Sequence, residues 1–241
     1  MNLQELLENP PEVHMLPDGE PNPVGLAGEV LKFLFSTLVE EATTLETGAG
    51  LSTIAFAMRG CNHTCIAPFQ YEVDGIKAFC LQHSISTEKV NFIVERSENV
   101  LPGLTCPPLD LALIDGSHGF PVQFLDWFYM APLLKIGGLL ILDDTQLWTG
   151  HVLKQFLQTE PEWKFEREFY AKTAVFTRLQ DGSNLKDWYD QPYVVRHSAK
   201  GIASAIRRGG REARIARARA GLRLLLNGDL ATLRRKLGKR K

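Results

Sequence analysis

A chain of 241 residues with 44% hydrophobic side chains is long enough for one α/β domain and an appendage, and its composition is that of a globular protein. The net charge of −1 hides a division: residues 1–195 hold 12 Lys and Arg against 26 Asp and Glu, whereas residues 196–241 hold 15 against 2. No apolar run reaches the roughly 20 residues of a membrane-spanning helix, and the acidic, proline-rich beginning is unlike a secretory signal, so an intracellular, cytoplasmic protein is expected.

In chain order, Leu26 to Glu41 reads as a leading helix and Thr44 to Thr47 as a first strand. The strand runs into Leu45-Glu-Thr-Gly-Ala-Gly-Leu-Ser-Thr53. There Gly48 and Gly50 allow a tight turn close to a ligand, and the Ser52 and Thr53 hydroxyls open a helix over Ser52 to Arg59. His63 to Ala67 is a second strand and Tyr71 to Ser84 a helix. Val90 to Glu95 is a third strand.

Leu109 to Asp115 is a short apolar strand ending in a carboxylate before Gly116-Ser117-His118. A helix is expected over Val122 to Leu134. Gly137-Gly138 then leads into a strand over Leu139 to Asp143, followed by Asp144. After a helix from Val152 to Thr159, Trp163 to Phe169 and Ala174 to Leu179 read as a closing antiparallel hairpin.

Four cysteines, Cys61, Cys65, Cys80 and Cys106, form no C-x-x-C pair and read as thiols, not as a disulfide scaffold. Cys61, His63 and Cys65 share one strand face, but a closed zinc site takes four ligands and no fourth stands nearby.

The Glu46 to Thr53 segment resembles motif I of the class I S-adenosylmethionine-dependent methyltransferases. The Asp115-Gly-Ser-His118 loop and the Gly137-Gly138 to Asp144 segment resemble their fourth- and fifth-strand motifs, the former in its D-G-x-H form. A nicotinamide-binding loop also begins G-x-G, but Thr53 stands where its third glycine belongs and Glu46 would repel a pyrophosphate.

The resemblance covers roughly residues 24–180. It implies a Rossmann-like, doubly wound, mostly parallel sheet of seven strands in the order 3-2-1-4-5-7-6. It places S-adenosylmethionine against Glu46, Thr47, Gly48, Gly50, Ser52 and Thr53, with Asp115 on the same rim and Ser97 at the adenine. Ala67 departs from the pattern, since an acidic residue commonly ends the second strand and holds the ribose. Glu72 is the replacement, with Asp74 second.

Three strand-end carboxylates, Asp115, Asp143 and Asp144, would repel one another without compensation, and a divalent cation such as Mg²⁺ or Mn²⁺ supplies it. The arrangement resembles metal-dependent O-methyltransferases acting on catechol or sugar hydroxyls, and implies a small-molecule or glycan-precursor acceptor. Asp115 and His118 are the catalytic candidates. His118 suits general-base work near neutral pH, which also supports a metal-independent methyltransferase. A third reading is a non-catalytic cofactor-binding module tethered by its basic tail.

Residues 1–180 thus form the methyltransferase-like domain, 181–198 a connector and 199–241 a basic helical tail. Asn227-Gly228-Asp229 breaks that tail, and Leu230, Leu233 and Leu237 follow as one apolar stripe beside Arg234, Arg235 and Lys236. Such a helix suits an anionic membrane surface at the inner face of the membrane. The lack of aromatic residues after Tyr193 favours that partner over nucleic acid.

Overall fold

The computed structural model describes residues 1–15, 20, 25–181, 186–208 and 212–226. A seven-stranded sheet is its frame, with β1 Thr43–Thr47, β2 Asn62–Ala67, β3 Val90–Val94, β4 Leu109–Ile114, β5 Leu134–Leu142, β6 Trp163–Phe169 and β7 Thr173–Arg178. The order is β3-β2-β1-β4-β5-β7-β6. The first five strands run parallel, and β7 is antiparallel to both β5 and β6.

Side-chain alternation explains why the sheet is covered on both faces. Leu111, Leu113, Ile141 and Val175 join the cluster of Leu31, Leu34 and Phe56, from helices α2 (Gly28–Thr37) and α3 (Leu51–Met58). Their neighbours Ala112, Ile114, Leu140, Leu142 and Phe176 point the other way, towards Trp127, Met130 and Leu153. Those belong to α6 (Val122–Met130) and α7 (Trp148–Leu157). Helix α4 (Gln70–Gln82) joins β2 to β3, and α5 (Ser97–Val100) follows β3.

Three differences from the sequence expectations have local causes. A short helix, α1 (Leu3–Glu8), precedes the expected first element. It is closed by a reciprocal cap between Asn2 and Glu5 and anchored by the fully buried Leu6. Strand β5 starts at Leu134, not Leu139, because the glycine pair lies within the strand at an irregularity of the β4–β5 register, between Leu109 and Leu111. A Cβ on Gly138 would stand 3.1 Å from the Leu109 carbonyl oxygen. Helix α7 starts at Trp148, not Val152: Gly150 sits in its first turn, where a Cβ would be 2.7 Å from the Asp144 carbonyl oxygen. A glycine that reads as a breaker is here a close-approach residue.

Contacts divide the chain into Met1–Gly182 and Ser183–Lys241. The second unit contains α8 (Pro192–Arg208) and α9 (Glu212–Leu226), which touch each other. Helix α8 begins inside the segment expected to be a connector. The Asn227 break and the Leu230, Leu233 and Leu237 stripe lie outside the described residues. Among those described, no helix is long and apolar enough to cross a membrane.

Candidate active site

Parallel pairing brings the ends of β1, β4 and β5 to one rim, beside the point where the chain order reverses at β1, and ligands of doubly wound sheets bind there. A cavity of about 720 Å³ opens at this rim. Of the expected cofactor residues, Thr47, Gly48, Gly50, Ser52, Glu72, Ser97 and Asp115 border it. The β1–α3 loop is held against the β4 loop at backbone distance. Gly48 has φ +91°, and a Cβ there would lie 2.3 Å from the Asp115 carbonyl oxygen.

Glu46 and Thr53 do not border the cavity but brace this loop from beneath. Thr53 donates its hydroxyl to Glu46 and accepts the Gly50 N–H at 3.0 Å. His63 Nε2 lies 3.0 Å from Glu46 Oε1, and its Nδ1 lies 2.8 Å from the Thr44 hydroxyl. The imidazole stacks on Phe56 with ring centroids 4.2 Å apart. Sequence pattern paired His63 with both Cys61 and Cys65. In the structure its side chain faces Glu46, with Cys65 nearby, while the Cys61 thiol faces the Val39 carbonyl. Burial pushes the Cys61 thiol up to about 11 and Cys65 well above its usual range.

The three carboxylates gather as expected, but their charge is partly met from within the chain. Lys172 Nζ donates to Asp143 Oδ2 at 2.9 Å and lies 3.5 Å from Asp144 Oδ1. Thr173 donates to the other Asp143 oxygen. Burial pulls the Lys172 ammonium down, but its hydrogen bond to Asp143 and the charges of Asp143, Asp144 and Asp115 outweigh this and leave it raised. Burial, reinforced by Asp143 and Asp144, pushes the Asp115 carboxyl well above the usual range.

His118 Nε2 lies 2.8 Å from Asp144 Oδ2. This hydrogen bond, with a second from Gln146, holds the Asp144 carboxyl well below the usual range despite burial. Gln123 Nε2 lies 3.3 Å from His118 Nδ1 and donates to the Asp143 carbonyl at 3.2 Å, so the loop and the end of β5 share one amide. Asp143 is engaged by Lys172 and Thr173. At this rim the donor atoms of Asp115, His118 and Asp144 converge within 4.8 Å of one another.

Four residues of the site carry no sequence signal of their own. Lys172 follows Tyr170 and Ala171, both with positive φ, and reads as a solvated turn lysine. Gln123 and Asp126 belong to α6, and Asp126 is fully buried. It accepts the Thr47 hydroxyl at 2.9 Å and a hydrogen bond from Ser97, and burial pushes its carboxyl up to about 6. His14, ahead of every motif, pairs with Glu72.

Residues 45–145 match the model of a family described as a methyltransferase domain, a span that begins in β1 and ends just after Asp144. Over these residues the chain carries a methyltransferase domain. Among solved structures, the methyltransferase domain resembles a putative caffeoyl-CoA O-methyltransferase from Staphylococcus aureus, with TM-score 0.58 and 16% identity over 74% of this chain and 92% of that one. It also resembles cofactor-bound Rv0187 from MTB, with TM-score 0.57 and 16% identity over 66% and 84% of the two chains. The O-methyltransferase TomG from Streptomyces achromogenes, in complex with SAM, gives TM-score 0.55 and 14% identity over 68% and 84%. At these identities the likeness is one of fold. No curated protein sequence matches the chain.

Proposed function

We propose that the methyltransferase domain transfers the methyl group of S-adenosylmethionine to a hydroxyl oxygen of a small acceptor, a sugar or glycan precursor foremost. The His118–Asp144 pair at the cavity carries this reading: a methyl acceptor hydroxyl must lose its proton, and an imidazole whose Nε2 is held by an ionised carboxylate can take it at Nδ1, where the acceptor replaces the Gln123 amide that stands 3.3 Å away. Asp144 would stabilise the imidazolium that forms, as a carboxylate does behind any histidine base. Two of the structures similar in fold are O-methyltransferases by name, one of them putatively so, and one holds SAM.

A second reading adds a divalent ion. Asp115, His118 and Asp144 offer oxygen and nitrogen donors that suit Mg²⁺ or Mn²⁺, and such an ion, when bound, would lower the pKa of an acceptor hydroxyl. Lys172 weighs against a strict need for it, because its ammonium already supplies a positive charge to Asp143 and Asp144.

For the second unit we infer a peripheral role at an anionic membrane surface on the cytoplasmic side. The excess of Lys and Arg after residue 195 and the lack of aromatic residues after Tyr193 support it.

The deciding experiment incubates the full chain with S-adenosylmethionine and a panel of sugar, nucleotide-sugar and catechol hydroxyl acceptors and follows S-adenosylhomocysteine. Formation that depends on acceptor and falls in His118→Ala supports the reading. Cofactor binding with no turnover on any acceptor would leave the tethered, non-catalytic module in its place.

A further inference from the structure

Pro10 to Met15 form part of the wall of the cavity although they precede every sequence motif of the domain. Buried anchors hold this strap in place. Leu6 is fully buried and Val13 is 5% exposed, and both join the cluster of Ala49, Ile54, Ala67 and Ile76 under the glycine loop and β2. The next residue, His14, sits on the loop itself: a Cβ on Gly50 would stand 3.1 Å from its Nε2. A side chain at position 50 would press on the imidazole and shift it by a few tenths of an ångström. On its other side, His14 Nδ1 lies 2.9 Å from Glu72 Oε1.

Glu72 lies in the first turn of α4, is 7% exposed and borders the same cavity. It stands five residues beyond Ala67, where β2 ends with a methyl group that accepts no hydrogen bond. A carboxylate so nearly buried needs a fixed donor. His14 provides one at Oε1, and a fixed carboxylate presents its second oxygen in a defined direction.

We propose that His14 is a positioning residue of the cofactor cleft. By holding Oε1 of Glu72 it aims Oε2 at the ribose hydroxyls, so that the N-terminal strap and α4 together supply the acceptor that the end of β2 lacks. This inference rests on the S-adenosylmethionine reading above.

The test is calorimetric titration of the full chain with S-adenosylhomocysteine. Glu72→Ala should weaken binding by about tenfold and His14→Ala by about three- to tenfold, magnitudes suited to one or two hydrogen bonds to a charged group. The double variant should bind no worse than Glu72→Ala alone, because His14 acts through Glu72. His14→Gln, which keeps a donor N–H, should recover most of the loss, and His14→Phe, which only fills the space, should not. An analogue lacking both ribose hydroxyls should bind wild type and His14→Ala alike. Wild-type affinity in His14→Ala, additive losses in the double variant, or an equal loss with the dideoxy analogue would each overturn the proposal while leaving the cofactor reading intact. Absence of S-adenosylhomocysteine binding by the wild type would overturn both.

Discussion

His118 Nε2 and Asp144 Oδ2 are 2.8 Å apart, and Asp144 reaches that position from a backbone with φ of +53°. Left-handed backbone is uncommon outside glycine, though Asp tolerates it better than most residues, and it persists where surrounding contacts fix it. Here the fixing contacts are hydrogen bonds from His118 and Gln146 and the nearby Lys172 ammonium. The turn places a carboxylate, held ionised, behind a histidine at the cofactor cavity. His118→Ala should therefore lower the single-turnover rate of methyl transfer by roughly 10²- to 10⁴-fold with little change in cofactor affinity. Asp144→Asn should lower it in the same direction. A wild-type rate in either variant would remove the base assignment.

Lys172 and a divalent ion are alternative answers to the same repulsion among Asp115, Asp143 and Asp144. If the ammonium is sufficient, activity survives exhaustive chelation, whereas Lys172→Met loses activity and melts at a lower temperature because buried Asp143 loses its cationic partner. Loss of wild-type activity on chelation, with recovery on adding Mg²⁺ or Mn²⁺, would establish the ion instead.

Glu46 should affect cofactor binding indirectly. Glu46→Ala leaves the buried His63 Nε2 and the Thr53 hydroxyl without their acceptor, a loss of about 1–3 kcal/mol in stability. It also frees the loop that Thr53 ties at Gly50. Both the melting temperature and the affinity for S-adenosylhomocysteine should fall together. Gly48→Ala should be more damaging, since its Cβ would meet the Asp115 carbonyl oxygen at 2.3 Å on a strained backbone. Weakened binding at unchanged melting temperature in Glu46→Ala would mean direct contact with the cofactor.

Asp126 sets a pH dependence of stability. Its folded carboxyl titrates at about 6 against a usual 3.8, raised first by burial, so the protonated form is favoured in the fold. The sign follows: its contribution is full below the unfolded value and is lost as pH rises through about 6. Integrated over that window the loss is of order 3 kcal/mol, at about 1.4 kcal/mol per unit. Asp126→Asn should flatten this part of the profile and melt above wild type at pH 7 to 8. Parallel pH profiles for the two proteins would contradict it.

The tail prediction takes its boundary from the helix. Truncation before Pro192, where α8 starts, removes every Lys and Arg after residue 195 without cutting α8. The full chain should sediment with anionic vesicles, less so as salt rises, and the truncated chain should not, while its affinity for S-adenosylhomocysteine is retained. Tighter binding to RNA or DNA than to vesicles at equal ionic strength would reassign the tail.

By itself the sequence determined the succession of the seven strands, the glycine loop after β1 and the carboxylates ending β4 and β5. These are local facts: apolar runs, glycines and end residues lie within a few positions of one another. Strand order was legible only through the family resemblance, since neither periodicity nor spacing says that β7 inserts between β5 and β6. What tertiary structure alone decided is the role of each charged group. Glu46 turns under the loop because His63 and Thr53, from β2 and α3, converge on it. Lys172, 28 residues after Asp144, becomes the counter-ion of β5 because the hairpin folds β7 back against that strand. His14 reaches Glu72 across 58 residues for the same reason: burial of Leu6 and Val13 fixes where the strap runs, and hydrophobic burial leaves no short-range pattern that names its polar neighbours.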